Sequence, residues 1–227
     1  MVTYYGVMAT RTRKTKAERR EQTAKAVLRI LGDEGITALT TGALATELGL
    51  TSGALFRHFP SRDAMLDEAV DHALARVEAT FPDPALPARD RLLQLARNRI
   101  GLLSADAGIA WLFRSEQVGQ CLPPAAIGKL AGMGQRSRRF VLEALTEGAA
   151  RGSIRNDIEP ALLLVPVMGT IHALIGRDGI HDATLRSGRT GPEQVLSALA
   201  ILLSPPGGST GKKTIGPAGS PPEGDKA

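Results

Sequence analysis

Residues 51–62 read TSGALFRHFPSR and bring together two guanidiniums (Arg57 and Arg62), an imidazole (His58) and two aromatic rings (Phe56 and Phe59). Three chemistries use such groups: a guanidinium fork on a phosphate or a base edge, an imidazole as proton carrier or metal ligand, and a ring as a stacking platform. Spacing argues against the second, because no other His, Cys or carboxylate stands at ligand spacing from His58 on the same helix. The third conflicts with position, since an aromatic just ahead of a helix break, as Phe59 is ahead of Pro60, usually closes a hydrophobic cluster. That leaves the guanidiniums, for which a plain solvated charge is the other reading.

Short helices must position these groups. From Glu18 the apolar residues Ala24, Val27, Leu28 and Leu31 recur at helical spacing until Gly35. Thr40 and Thr41 then precede a short helix over 41–48 that closes at Gly49. Thr51 or Ser52 caps a third helix that runs through Leu55 and Arg57 to Phe59, with Leu55 and Phe59 facing inward. Pro60 breaks it, and Ser61 caps a long helix from Arg62 to about Thr80, with Asp63 in its first turn. Two short helices around a glycine-containing turn have the outline of a helix-turn-helix. Further helical patterns cover 87–104, 108–119, 123–151, 160–177 and 192–203, with Pro160 in a first turn and Pro166 expected to kink its helix. Aromatics make up 4% of the chain and β-branched runs are missing, so the fold class is all-α: an N-terminal three-helix head joined to a C-terminal helical bundle. The segment Gly132-Met133-Gly134 lies inside a helical pattern and follows no strand, which removes it as a phosphate loop.

The formal net charge is +5, and all of it sits near the start: residues 1–62 hold ten Lys or Arg against five Asp or Glu, and the remainder balances at eighteen each. A basic head on a neutral body suits a nucleic-acid partner, although a solvated basic tail would give the same count. A single cysteine, Cys121, allows no intrachain disulfide and no Cys cluster, which suits a cytoplasmic location. The first residues lack the order of a signal peptide, and Met8 is a second candidate start. The apolar run 161–176 is too short to span a bilayer, so no membrane partner is expected. Residues 1–15 read as a flexible basic arm, and 204–227, rich in Pro, Gly and Ser, as a disordered tail. No metal, cofactor or enzymatic activity is expected.

The stretch TTGALATELGLTSGALFRHFPSRDAML resembles the DNA-binding head of the TetR family of bacterial transcriptional repressors, densely from Arg19 to Leu66. The resemblance rests on Leu44-Ala45, on the turn Gly49-Leu50-Thr51, on Gly53-Ala54-Leu55-Phe56-Arg57-His58-Phe59 and on Ser61-Arg62-Asp63. It implies a DNA-binding domain over 16–62 and a ligand-binding and dimerisation domain over 63–203. It also implies a homodimeric repressor whose operator DNA is released by a small-molecule effector. Phosphate contacts would come from Thr40, Thr41, His58 and Arg62, and base reading from Ser52, Ala54 and Arg57, of which Arg57 could equally hold a phosphate, on a segment that includes Gly53 and Phe56. Phe56 stands where the family usually has a tyrosine, and Gly42 where a longer polar side chain is common. Candidate effector-binding residues are Trp111, Phe113, Gln117, Met133, Met168 and His172, although large or polar groups at helical spacing on apolar helices are more often plain core. The helices at 160–177 and 192–203 would form the dimer interface. A DNA-bound helical interaction module that regulates a non-transcriptional process is the other reading.

Overall fold

The computed structural model describes residues 15–175 and 191–206; the expected arm up to residue 14, the end of the helix predicted over 160–177 and the tail from residue 207 lie outside them. Among the described residues all regular structure is helical. The helices are α1 (Lys16–Asp33), α2 (Thr41–Leu48), α3 (Ser52–Phe56), α4 (Arg62–Glu78), α5 (Ala88–Ala105), α6 (Ala107–Arg114), α7 (Val118–Cys121), α8 (Pro124–Ala150), α9 (Pro160–Ala173) and α10 (Pro192–Leu202).

Local chemistry explains the boundaries. At the start of α1 the Thr15 hydroxyl accepts from Glu18 N–H at 3.2 Å, and the Glu18 carboxylate accepts from Thr15 N–H at 2.7 Å, a reciprocal cap for two otherwise free donors. Gly49 closes α2 with φ of 62°, a conformation that costs a glycine little. The helix expected over 108–119 is broken instead into α6 and α7. Ser115 takes an extended conformation and its hydroxyl accepts from Gln117 N–H at 3.2 Å, a local bond that competes with helix propagation. The third helix also ends earlier than expected, at Phe56, after which His58 and Phe59 N–H both turn back to Leu55 O. Helical structure continues through Pro166 to Ala173.

The hydrophobic core runs without interruption from the head into the bundle. Ala24, Val27, Leu28 and Leu31 of α1 are fully buried, together with Leu55 and Phe59 from the α3 segment and Leu66, Ala69 and Val70 from α4. Ion pairs fasten the outer edges. Arg20 of α1 holds Glu68 of α4, Arg29 holds Glu47 of α2, and Lys129 of α8 reaches both Asp67 and Asp71 of α4 at 2.8 and 2.7 Å. Arg136 pairs with Glu78 at the far end of α4.

The tightest approach is between α1 and α6. A Cβ added to Gly108 would stand 2.0 Å from the carbonyl oxygen of Leu28, and one added to Gly32 would stand 2.5 Å from the amide nitrogen of Gly108. The two helices therefore cross backbone against backbone, which only glycine permits. Replacing Gly108 by alanine forces the helices apart, and Gly108→Ala is expected to lower stability by about 3 kcal/mol in urea unfolding. Gly101→Ala, at an exposed position of α5 where an added methyl meets nothing, is expected to raise it by roughly 0.5–1 kcal/mol.

Candidate nucleic-acid interface and ligand cavity

Three consecutive caps build the head's outer face. The hydroxyl of Thr40 accepts from Ala43 N–H at 3.1 Å, that of Thr51 from Ala54 N–H at 3.2 Å and that of Ser61 from Ala64 N–H at 3.1 Å. Each satisfies a backbone donor that a helix start leaves free. Leu55 and Phe59 anchor the α3 segment from below, with the Arg20 guanidinium 5.7 Å from the centre of the Phe59 ring. What remains outside is narrow. Ser52, Gly53, Phe56 and Arg57 are exposed, with Thr40 beside them, whereas Thr41, Ala54 and His58 are half-buried.

Within the head the charged groups sort into engaged and free. Arg20 and Arg29 are ion-paired, and Lys25 pairs with Glu21. The Arg57 guanidinium has no ion pair or hydrogen bond among the described residues and projects from the exposed end of the α3 segment. Arg62 is placed differently from the phosphate-seeking role that the resemblance implies. Its Nε donates to Leu39 O at 3.1 Å and its Nη2 to Ile36 O at 3.4 Å, so the side chain ties the start of α4 to the loop before α2. An added Cβ at Gly42 or Gly53 would meet no close neighbour, which leaves this face low in relief.

The expected effector residues divide. Phe113, Met168 and His172 come together around a small cavity of about 30 Å³ between α5, α6, α8 and α9. Trp111 faces instead an open cleft of about 640 Å³, beside Lys25, Arg29, Asp33 and Arg76. Gln117 is exposed in the break between α6 and α7, and Met133 is buried in the core away from either space.

Arg99 and Ser137, which the periodicity of the sequence did not single out, also border the small cavity. Arg99 is only 8% exposed. Its Nε donates to Thr80 Oγ1 at 2.9 Å, its Nη1 reaches Ser137 Oγ at 3.4 Å, and its guanidinium lies 5.3 Å from the centre of the Phe81 ring. The loss of solvent pushes its pKa down to about 10. His172 stands at the rim with one side exposed. Desolvation on its inner side, and then the positive charges of Arg99, Arg114 and Arg138, hold its imidazole below the usual 6.5.

Residues 25–69 match the family model for bacterial regulatory proteins of the tetR family. The nucleoid occlusion factor SlmA of Haemophilus influenzae is 29% identical over 117 residues, which take in 47% of this chain and 54% of that one. The chain thus spans about half the length of that curated relative. Among solved structures, the ketosteroid transcriptional regulator KstR2 of Mycobacterium tuberculosis aligns with a TM-score of 0.62 at 19% identity, covering 82% of this chain and 95% of that one. AibR in complex with isovaleryl coenzyme A and operator DNA aligns with a TM-score of 0.62 at 16% identity, covering 82% and 97%. These structural likenesses concern the fold. The capped helix-turn-helix and its exposed outer face fall within the stretch, residues 25–69, that matches the tetR-family model.

Proposed function

We propose that the protein is a homodimeric repressor that binds an operator through the α3 segment of each subunit and leaves it when a small molecule occupies the body. The observation that carries this reading is the unpaired, exposed Arg57 on a segment locked by caps at Thr40, Thr51 and Ser61. In this reading Ser52, Gly53, Ala54, Phe56 and Arg57 face the major groove, and Thr40, Thr41 and His58 lie along the phosphates. Arg62 acts from behind by holding the loop that carries Thr40, with at most its remaining nitrogen toward DNA. The domain division at residue 62 follows the same logic, since α4 starts there and runs into the body.

Exposed apolar side chains support the dimer. Leu162 and Val165 of α9 are 63% and 71% exposed, and Ile201 and Leu202 of α10 are 73% and 62% exposed. Large apolar groups on neighbouring helices at this exposure suit the isologous face of a four-helix interface. Two-fold pairing would set the recognition segments about 34 Å apart, the repeat of the major groove on one side of the duplex. The cavity between α5, α6, α8 and α9 and the small-molecule specificities named for KstR2 and AibR support an effector.

The likeness to SlmA favours a second reading, in which the DNA-bound protein occludes or recruits another machine and leaves transcription alone. Genomic footprinting of the purified protein, combined with transcript measurements in a deletion strain, separates the two. Repression predicts altered transcripts at genes beside the footprints; unchanged transcripts with a protein partner recovered on the DNA-bound form favour the second.

On a recovered operator duplex, Arg57→Ala is expected to weaken binding by about ten- to a hundredfold in fluorescence anisotropy with an unchanged melting temperature. Wild-type affinity should fall steeply with added salt. Normal operator affinity in the variant would show that the wrong face of α3 has been assigned. Val165→Glu, which places a charge in the apolar face of α9, is expected to give monomers in light scattering, and retention of the dimer would place the interface elsewhere.

A further inference from the structure

We propose that the small cavity between α5, α6, α8 and α9 receives the carboxylate of a small apolar acid, with Arg99 as the anchoring donor. This deepens the effector reading above and rests on it for its regulatory consequence, though not for binding itself.

The argument begins with an unmet donor. Arg99 is more than nine-tenths buried, and its Nη2 has no hydrogen-bond partner among the described residues. Buried guanidiniums are normally paired with acids, because an uncompensated buried charge costs several kcal/mol by order of magnitude. Arg91, about two turns earlier on α5, follows that rule by pairing with Glu147. Arg99 does not. The acid that bears on it is Glu78, and that carboxylate is bonded to Arg136 at 2.5 Å.

The surroundings have one sign. Arg99, Arg114 and His172 border the cavity, and no Asp or Glu is among the described residues that line it. Arg114 is committed, with its Nη1 on Ile175 O at 2.6 Å. Arg99 Nη2 is therefore the unmet donor at this wall, and the Ser137 hydroxyl accepts from the neighbouring Nη1 at 3.4 Å. The rest of the wall is apolar, with Leu95, Phe113 and Ile171 prominent. A cation and a hydroxyl at one side of a small apolar chamber match a carboxylate on a short hydrocarbon body. The cavity of about 30 Å³ holds little more than a carboxyl group, so a tail must displace Met168, a flexible side chain in its lining.

The cavity also touches the element that would carry the signal. Arg99 Nε donates to the Thr80 hydroxyl, which in turn donates to Val77 O in the last turn of α4 at 2.5 Å. An acid that draws the guanidinium toward itself competes with the Thr80 bond, and so bears on the helix that begins at the recognition segment.

The test is calorimetric titration of the full-length protein with butanoate, hexanoate and benzoate, each against its own amide. At least one acid is expected to bind about tenfold or more tightly than its amide, the worth of one charge-assisted hydrogen bond. Arg99→Gln should abolish that preference and Arg99→Lys should keep part of it. Met168→Trp, which fills the chamber and leaves Arg99 in place, should block the acid, so the assignment stays testable if Arg99 variants fold poorly. Equal binding of acid and amide, equal competition by inorganic phosphate or chloride, or acid binding undiminished in Met168→Trp would overturn the proposal. Operator release, followed by anisotropy in the same titrations, separates this inference from the effector reading. An acid that binds through Arg99 but leaves the operator complex intact supports the site and refutes its role as trigger. A neutral molecule that releases the operator and is not displaced by any of the acids supports a trigger and refutes this site.

Discussion

Where α1 crosses α6, Gly32 and Gly108 leave no room for even a methyl group between the two backbones. That contact joins the helix that carries the head's core to the helix that forms one wall of the cavity. Residues 28 and 108 lie eighty positions apart in the chain, yet the carbonyl of one lies against the α-carbon of the other. Side chains between two helices would act as a compliant layer. Backbone contact transmits displacement directly, because neither partner has a rotamer with which to absorb it.

A second connection runs through polar groups. Thr80, just beyond α4, accepts from Arg99 and donates back to Val77, while Asn98 of α5 donates to the Thr80 carbonyl at 3.0 Å. At the other end of the same helix Arg62 holds the carbonyls of Ile36 and Leu39. Helix α4 is thus gripped at both ends by arginines, one bordering the cavity and one behind the recognition segment. Along its length Lys129 and Arg136 of α8 bind its acids. These contacts tie both ends and the middle of α4 to neighbouring elements.

Much of the head was legible in the sequence because its signals are local. Gly35 and Gly49 adopt positive φ where the helices were expected to end, and Thr40, Thr51 and Ser61 cap where the pattern placed them. The break at Ser115 was not legible, since the apolar pattern continues across it and only one side-chain bond decides against the helix. Arg99 was not legible for a different reason. The stripe Leu92, Leu95, Ala96, Ile100 and Leu103 identifies the buried face of α5, and periodicity alone does not tell a buried cation beside that stripe from a solvated one. The α1–α6 crossing lay out of reach, because nothing in Gly32 alone points to a partner so far along the chain. Of the residues expected around an effector, Phe113, Met168 and His172 border one cavity, while Trp111, Gln117 and Met133, similar in type, lie elsewhere.

The α3 segment has a kinetic consequence. Five helical residues fall well short of the roughly 12–15 that an isolated helix needs in water, so this turn is ordered wholly by its cap at Thr51 and by Leu55 and Phe59 beneath it. The chain entropy of this exposed turn is therefore lost when the protein folds. In the proposed reading, association with a duplex needs no ordering step at the point of encounter, and its rate is governed by diffusion and by the attraction between a basic head and the phosphates.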